Sequence, residues 1–261
     1  RDRSPSRGLG DVYKRQIYAT LKMRLKKEHN LHADQIMLNA SHTHTGPVLR
    51  GGLYDIYPLD DARIKRIEEY SARLENEIVR ITGEALKKLE PVILKHGNGI
   101  SRFGVNRREN RESQIPQLRS EGATLKGPFD HDVPVLAVYK GLQLKAVVFG
   151  YACHSTVLSF YQFSGDYSGF SQIALEKSPP GAMALFSPGC GADINPLPRR
   201  QVYQAERYGN MLAAAVEEVL LQKMQTLHPT LTTRLQTVPL EYGALPTDEA
   251  LAAAAKNMKI V

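Results

Sequence analysis

Cysteine is scarce in this sequence and long hydrophobic runs are missing, and each feature excludes a class of protein. Two cysteines in 261 residues exclude a small scaffold built on several disulfides, although they leave room for one bridge. No apolar run approaches the roughly 20 residues that span a bilayer, because the best stretch, 133–153, is interrupted by Lys140 and Lys145. Hydrophobic residues make up 42% and charged residues 23% of the chain, which excludes disordered, collagen-like and coiled-coil proteins. We therefore expect one large globular domain or two small ones, without a transmembrane segment.

The basic character of the chain is concentrated at its beginning. A net charge of +7 would usually indicate nucleic acid or an anionic membrane as a partner. Residues 1–16, RDRSPSRGLGDVYKRQ, contain five Lys and Arg residues against two Asp, a net charge of +3 that leaves only +4 for the rest. Since no basic stripe with interleaved aromatic residues follows, we expect no nucleic-acid partner.

The same sixteen residues look foreign to the protein. DVYKRQ at 11–16 is encoded by GAT GTG TAT AAG AGA CAG, which resembles the end of a transposon adapter common in sequencing libraries. We interpret 1–16 as a disordered sequencing-adapter artefact, the alternative being a natural basic arm rich in Ser, Pro, Gly and Arg. Residues 17–261 are then expected to be a partial domain whose C-terminal part is missing, because the helical pattern before Val261 stops without a capping residue.

Downstream of residue 16, helical and extended patterns alternate. Apolar residues three, four or seven positions apart predict helices, and short apolar runs between polar residues predict buried strands. The predicted helices cover 17–28, 61–89, about 168–178 and 201–224. The predicted strands cover 35–40, 92–95, 133–139, 144–151, 182–186 and 230–240, and the polar segment 104–129 is predicted to be a long surface loop. This mixture predicts an α/β fold with a layered mixed β-sheet core and flanking helices.

The sharpest motif, SHTHTGP, follows the first predicted strand. His42 and His44 are two positions apart, so in extended backbone their side chains lie on the same side. Neutral imidazoles that converge in this way are ligands for a divalent metal such as zinc. On its own, such a pair more often consists of loop histidines that bond to the backbone.

A third histidine strengthens the interpretation of these residues as a metal site. The apolar strand in FGYACHS ends at His154, so two separate strands each deliver histidine at an end, which favours a shared site. The next segment, GDYSG, places Asp166 before a predicted helix. Asp166 can cap that helix, which is the interpretation we favour slightly, or it can orient a ligand histidine.

A glycine-rich segment and an arginine complete the candidates. FSPGCGADINPLP, at 186–198, contains Gly191, Asp193 and Asn195. Glycine permits close backbone approach, and N–H groups in such a loop could form an oxyanion hole, although a plain connector to the next helix is the alternative. In GVNRR, the Arg107 guanidinium could hold a carbonyl or an anion, although an arginine in a polar loop is more often simply solvated.

Taken together, these motifs resemble those of the neutral/alkaline, non-lysosomal ceramidase family. SHTHTGP resembles that family's histidine motif, GVNRR its Asn-Arg motif and YACHSTVLSF its second histidine strand, while GDYSG and GCGADINP resemble the next two landmarks. The resemblance spans Ala33 to Pro198 and keeps the family's order. Family members are zinc-dependent amidases that split ceramide into sphingosine and a fatty acid, often outside the cell. The resemblance therefore implies a catalytic domain of a secreted or periplasmic enzyme.

The resemblance also implies roles for individual residues. His42 and His154 match the family's zinc-binding histidines. His44 matches a histidine close to the metal that is important for catalysis, and Arg107 matches an active-site arginine. The family's remaining ligands, a Glu and a Tyr, would fall beyond Val261. The other candidates are expected to support the ligands or to line a substrate loop: Asp166, Gly191 and Asp193.

One position departs from the family pattern. Where the ceramidases carry a serine implicated in catalysis, in Gly-Asp-Val-Ser-Pro, this chain has Asn195 in Ala-Asp-Ile-Asn-Pro. An amide cannot act as a nucleophile, but it can donate a hydrogen bond to an oxyanion. We therefore expect a zinc-dependent hydrolase that uses metal-activated water on an amide bond of ceramide or of another small or lipid-like N-acyl substrate, with Asn195 in a catalytic role.

Two other functions stay open at this point. A descendant of the same fold could bind a metal or a ligand without catalysis, which the change from serine to asparagine motivates. A metallophosphoesterase would need further Asp, His and Asn motifs that bridge two ions, and we find none in the sequence. It is also open whether Cys153 and Cys190, which adjoin two of the motifs, form a bridge or stay thiols.

Overall fold

Two compact units, divided between Leu231 and Thr232, make up the chain. The computed structural model describes residues 9–52, 54, 57–177, 181–241 and 243–257. All of the candidate site residues lie in the first unit. The second unit contains one described helix, whose first turn begins where the Thr247 hydroxyl accepts the N–H of Ala250 at 3.2 Å.

Among the described residues of the first unit there are seven strands, five of which form a mixed sheet. The strands are β1 (Ile93–Ile100), β2 (Gly104–Asn106), β3 (Asp132–Lys140), β4 (Gln143–Tyr151), β5 (Met183–Pro188), β6 (Ile194–Pro196) and β7 (Gln225–Thr226). The large sheet has the order β5-β4-β3-β1-β7, in which β4 and β5 are parallel and the other pairs are antiparallel. β2 and β6 pair separately as a short antiparallel ladder. The predicted α/β class with a mixed sheet is confirmed.

The described residues form six α-helices, of which two cover the sheet and two others pack on each other. They are α1 (Leu9–His29), α2 (Asp61–Lys87), α3 (Ile115–Ser120), α4 (Asp166–Lys177), α5 (Val202–Leu221) and α6 (Asp248–Asn257). α4 and α5 pack together and against the sheet, so closely that a Cβ atom on Gly99 of β1 would lie 2.7 Å from the carbonyl oxygen of Ala215. α1 packs on α2 through Leu21, Leu25 and Val79. Within the described residues, no helix combines the length and apolarity needed to cross a bilayer.

The main core lies between the sheet and the α4–α5 pair. Phe103 is fully buried and stacks on Tyr208 with ring centroids 4.8 Å apart, while Tyr151 and Tyr167 contact it at 4.6 and 5.1 Å. The Tyr151 hydroxyl donates to the carbonyl of Ser101 at 2.6 Å, so that its polar end is satisfied inside the core. These rings anchor the end of β4, from which the chain continues to His154.

The long sequence patterns are confirmed. The helix predicted over 61–89 is α2, which starts where the Asp60 carboxylate accepts the Arg63 N–H at 2.7 Å and ends before Pro91. The strands predicted over 133–139 and 144–151 are β3 and β4. Each of these patterns is long enough for its period to be unambiguous.

The strand predicted over 35–40 is wrong. Ala33–Gln35 form a 3-10 turn, and residues 36–40 are irregular and pair with no strand of the described chain. Ile36 and Leu38 pack on the α1–α2 pair, whereas Met37 is 86% exposed. The apolar alternation is therefore satisfied by helices on one side, without a β-ladder.

The strand predicted over 230–240 is also wrong. The described residues of this segment are irregular and exposed, with Leu231 at 88% and Leu240 at 86% exposure. Alternating hydrophobicity specifies a strand only when a partner edge and a face to bury are present, and in the described chain this segment has neither.

Two further boundaries differ from the predictions. The segment 104–129 contains β2 and α3 rather than a structureless loop, because Val105 and Ile115 are buried together with Leu197. The helix predicted over 17–28 is α1, which begins at Leu9, while residues 1–8 lie outside the described residues. A helix that is packed downstream gains one hydrogen bond for each residue added at its end. The adapter origin of 1–16 stays a prediction.

Candidate metal centre

Three histidines from two distant parts of the chain meet at one point. One ligand atom from each of His42, His44 and His154 lies within 4.8 Å of the others. The Nε2 atoms of His42 and His44 are 3.4 Å apart, and the ring centroids of His42 and His154 are 4.9 Å apart. The convergence expected from the two histidine motifs is therefore present in the fold.

The His154 ring is held in one orientation by the backbone. His154 is buried, and its Nδ1 donates to the carbonyl of Gly191 at 2.6 Å. Its backbone N–H donates to the carbonyl of Ile194 at 3.0 Å. Burial lowers the pKa of His154, and the positive charge of Arg107 acts in the same direction. The ring is therefore neutral near pH 7, with Nδ1 protonated and the Nε2 lone pair available to a metal.

The packing around position 191 leaves room only for glycine. A Cβ atom on Gly191 would lie 2.5 Å from the backbone nitrogen of Cys153 and 2.6 Å from the carbonyl carbon of Ala152. Such distances are too short for any side chain, so the loop after β5 contacts the backbone before His154 only because residue 191 is glycine. Gly191 thus supports the histidine through its own carbonyl.

The other two histidines lie on a loop, which we call the histidine loop (41–47). His42 has a φ of 58°, in the left-handed region that non-glycine residues rarely adopt. His44 is exposed. The hydroxyls of Thr43 and Thr45 donate to the carbonyl of Ser164 at 3.2 and 3.1 Å. The loop is therefore held by side-chain hydrogen bonds instead of a β-ladder.

Arg50 attaches the end of this loop to α2. Its backbone N–H donates to the Ser71 hydroxyl at 2.9 Å, and its guanidinium pairs with Glu68 at 2.5 Å and with the buried Glu75 at 3.1 Å. The two carboxylates raise the pKa of Arg50, the hydrogen bond to Glu68 having the largest effect. The loop is thus held at two places, by the bonds of Thr43 and Thr45 to Ser164 and by the attachment of Arg50 to α2.

Arg107 and Asp193 lie where the short β2–β6 ladder ends. The Arg107 N–H donates to the carbonyl of Asp193 at 2.8 Å, and its guanidinium donates to the carbonyl of Ala192 at 2.9 Å. The Asn106 amide donates to the Asp193 carboxylate at 3.0 Å. Since Arg107 also influences the pKa of His154, its charge acts on the histidine group.

Asn195 is buried in β6, opposite Val105 of β2. Within the described residues, its side-chain Oδ1 has no hydrogen-bond partner. A buried acceptor without a donor costs free energy, and such groups usually bond to water or to a bound molecule. Asn195 follows Ile194, whose carbonyl accepts the backbone N–H of His154, so it is one residue from the support of that ligand.

Asp166 holds the backbone that follows His154. Its buried carboxylate accepts the N–H groups of Val157 at 3.2 Å, Leu158 at 2.8 Å and Tyr167 at 2.7 Å. Burial raises the pKa of the Asp166 carboxyl, and these hydrogen bonds oppose the shift. In α4 the carboxylate thus bonds to the next residue, and outside α4 it bonds to the loop that follows His154. The two roles weighed for Asp166 stay predictions.

Sequence reasoning missed the residues that join the two halves of the site. Thr43 and Thr45 were given no role in the SHTHTGP motif, although Thr45 is buried at 4% exposure. The sequence offers one signal for them, their alternation with the histidines in SHTHT. The partner, Ser164, lies more than a hundred residues away and carries no motif of its own.

Both cysteines are free thiols. Cys153 is buried next to His154, whereas Cys190 is exposed in the loop that contains Gly191. Of the two states left open by the sequence, the structure has the unbridged one.

The donor set fits a divalent transition metal. Nitrogen ligands about 2.0–2.1 Å from a tetrahedral zinc ion lie about 3.3 Å from each other, and one ligand atom from each of the three histidines lies within 4.8 Å of the others. The orientation of His154 by a backbone carbonyl is the usual support of a metal-bound imidazole. Imidazole suits zinc, copper, iron and nickel alike, so the donors define a class of ion.

Fold and site together define a mixed α/β domain that presents a cluster of three histidines at one end of its sheet. The fold is similar to that of ceramidases of known structure. The crystal structure of neutral ceramidase from Pseudomonas aeruginosa matches with a TM-score of 0.61 and 20% identity, over 80% of this chain and 35% of that one. A ceramidase complexed with C2 matches with a TM-score of 0.63 and 19% identity, over 80% of this chain and 34% of that one.

These matches confirm the predicted resemblance at the level of the fold. This chain spans about a third of the length of the ceramidase structures that it matches. No family model matches the sequence, and a search of curated proteins finds no match.

Proposed function

We propose that this chain forms the metal-binding part of a zinc-dependent hydrolase that splits an amide bond in an N-acyl substrate. The observation that carries the proposal is the meeting of His42, His44 and His154 within 4.8 Å. Likeness to ceramidase structures supports the same reaction class. His42 and His154 are assigned as metal ligands, and His44 as the histidine beside the metal.

The chemistry divides between the metal and the protein. Zinc, when bound, lowers the pKa of water towards about 7 and polarises a carbonyl. Burial lowers the pKa of His154 and favours its neutral form, while the bond from Nδ1 to the Gly191 carbonyl fixes the orientation of the ring. The exposed His44 exchanges a proton with the reacting groups, since an imidazole nitrogen can both accept and donate one. Arg107 brings positive charge to the loop that carries Asp193 and stabilises a developing negative charge on the carbonyl oxygen.

Asn195 bears on which N-acyl compound the proposed hydrolase accepts. The buried Oδ1 without a partner is an acceptor, and the same side chain carries two N–H donors. Such a group can accept the N–H of an amide substrate or donate to its oxyanion, but it cannot form a covalent acyl intermediate as a serine could. We therefore assign a small or lipid-like N-acyl compound as substrate, either ceramide or a related amide.

Metal stoichiometry tests the central assignment. The purified protein is expected to bind about one equivalent of zinc or cobalt(II), as measured by elemental analysis and titration. His42→Ala or His154→Ala is expected to weaken this binding at least about 100-fold, beyond the effect of changing an outer residue. His228→Ala, which alters an exposed histidine bonded only locally to Thr230, is the matched control and should bind like the wild type. Stoichiometric metal in both ligand variants would refute the assignment.

A second function is favoured by the same asparagine. If Asn195 marks a descendant that binds a metal or ligand without catalysis, the zinc-loaded protein will bind N-acyl compounds and leave them intact. Hydrolysis followed by mass spectrometry separates the two. Turnover that disappears in His154→Ala and persists in His228→Ala supports the hydrolase, and stable binding without product supports the non-catalytic descendant.

A further inference from the structure

We propose that Thr43, Thr45 and Ser164 are positioning residues that bring the histidine loop to His154. Their hydroxyl and carbonyl groups, which we call the Thr–Ser164 contact, join the two chain segments that supply the histidines. This inference rests on the proposed metal site and adds residues that do not touch the metal themselves.

The geometry of the loop separates ligands from supports. The threonine hydroxyls bond to Ser164, whereas the imidazoles of His42 and His44 lie close to that of His154. Thr43 Oγ1 and Thr45 Oγ1 are 2.9 Å apart, and both donate to the carbonyl oxygen of Ser164, at 3.2 and 3.1 Å. The Ser164 N–H in turn donates to the carbonyl of Thr45 at 3.1 Å. Two side chains and one backbone bond therefore converge on a single residue.

The loop depends on this contact because, among the described residues, no β-ladder holds the segment that leads into it. Residues 36–40, which lead into it, are irregular and pair with no strand of the described chain. His42 is in the left-handed region, a conformation that persists only where surrounding contacts impose it. Thr45 is buried, so its hydroxyl cannot exchange Ser164 for water at little cost.

The contact continues to the segment that carries His154. The Ser164 hydroxyl accepts the N–H of Asp166 at 2.9 Å. The Asp166 carboxylate accepts the N–H groups of Val157 and Leu158, which follow His154 by three and four residues. A continuous series of hydrogen bonds therefore runs from the histidine loop to the chain beyond His154. Shifting the threonines away from Ser164 would change the distance between the two halves of the metal site.

Cobalt(II) titration of threonine variants tests this inference. Thr43→Val/Thr45→Val keeps the shape of both side chains and removes both hydroxyls, whereas Thr43→Ser/Thr45→Ser keeps the hydroxyls. We expect the valine variant to bind cobalt 10- to 100-fold more weakly, the loss typical of residues that orient ligands, with a changed visible absorption spectrum. The serine variant is expected to stay within about threefold of the wild type. Thr82→Val, which removes a hydroxyl bonded within α2, controls for the general cost of losing a threonine hydroxyl.

A second measurement works without metal. In the metal-free protein, ring protons of His42 and His154 should give a nuclear Overhauser effect, since their centroids are 4.9 Å apart. We expect this signal in the wild type and the serine variant, and its loss in the valine variant at unchanged helical circular dichroism. Thr43→Val alone serves if the double variant does not fold.

The outcomes separate the two proposals. A wild type that binds no cobalt refutes the metal site, while the Overhauser signal still decides the positioning role. Equal cobalt affinity and an equal Overhauser signal in the wild type and the valine variant would overturn the positioning role. So would equal weakening in the valine and serine variants, because the hydroxyls would then not be the cause.

Discussion

His154 and the histidine loop reach the same point in different ways. His154 is buried, its ring is oriented by the Gly191 carbonyl, and the backbone around it is packed so tightly that residue 191 has no room for a side chain. The histidine loop has an exposed His44, a strained φ at His42 and supports made by side chains. The metal site therefore has one side that is held by main-chain packing and one side that is held by side-chain hydrogen bonds and ion pairs.

This difference has a consequence for mutation. On the rigid side, changes act through steric conflict with the backbone and should affect the whole domain. On the loop side, changes remove hydrogen bonds or charge pairs and should affect stability less than metal affinity. The following predictions test the contrast.

The largest effect is expected for Gly191→Ala. A Cβ atom 2.5 Å from the Cys153 backbone nitrogen must displace the loop or the strand end, so we expect a loss of about 3 kcal/mol or more in the free energy of unfolding. Metal affinity should fall as well, because the carbonyl that orients His154 moves. Denaturant unfolding and cobalt titration measure the two effects.

Gly169→Ala is the matched control for that change. A Cβ atom on Gly169 in α4 would meet nothing within 4 Å, and alanine favours a helix over glycine by about 1 kcal/mol. The control should therefore be neutral or slightly stabilising. If Gly191→Ala behaved like Gly169→Ala, the tight backbone contact behind His154 would be refuted.

An intermediate effect is expected for Glu75→Ala. Glu75 is buried and pairs with Arg50, and Arg50 would still pair with Glu68 after the change. Breaking a fully buried ion pair costs about 3–5 kcal/mol. Because the Arg50 side of this pair is partly exposed, we expect a smaller loss, about 2 kcal/mol, in the free energy of unfolding. Because Arg50 attaches the end of the histidine loop, metal affinity should fall more than it does in a surface variant.

Glu69→Ala provides the comparison on the same helix. Its pair with Lys65 is exposed and 3.9 Å long, and such pairs contribute less than about 1 kcal/mol. Equal urea midpoints for Glu69→Ala and Glu75→Ala would contradict the anchoring role of the Arg50 pairs.

The smallest effect concerns the two thiols and leaves the fold intact. Cys190 is exposed and should react with iodoacetamide at pH 8, whereas Cys153 is buried and burial raises the pKa of its thiol. Since only the thiolate reacts, raising the pH from 7 to 9 should not bring Cys153 into reaction while the protein is folded. Peptide mass spectrometry assigns the label, with urea-unfolded protein, in which both thiols react, as the control. Equal labelling of both cysteines in the folded protein would show that the side of the site near His154 is open.

The sequence predicted those features that depend on local pattern. α2, β3 and β4 were found because their periodicity extends over many residues, and the three histidines were found because the two motifs that contain them each come at the end of an apolar run. The irregular course of 36–40 could not be predicted. Ile36 and Leu38 pack on the α1–α2 pair, and alternating apolar residues look the same whether they face helices or the core side of a sheet. β2, β6 and the Thr–Ser164 contact were missed for a related reason. Their partners are distant in sequence, and three-residue strands or single hydroxyls carry no periodic signal.

The contact between Gly191 and the chain before His154 also bears on how far such a domain can diverge. It is made by main-chain atoms of Ala152 and Cys153, and the hydrogen bond to His154 uses a main-chain carbonyl. Neither interaction depends on which side chains surround it. The side chains around the site can therefore change while the imidazole of His154 keeps its place, provided that residue 191 stays glycine.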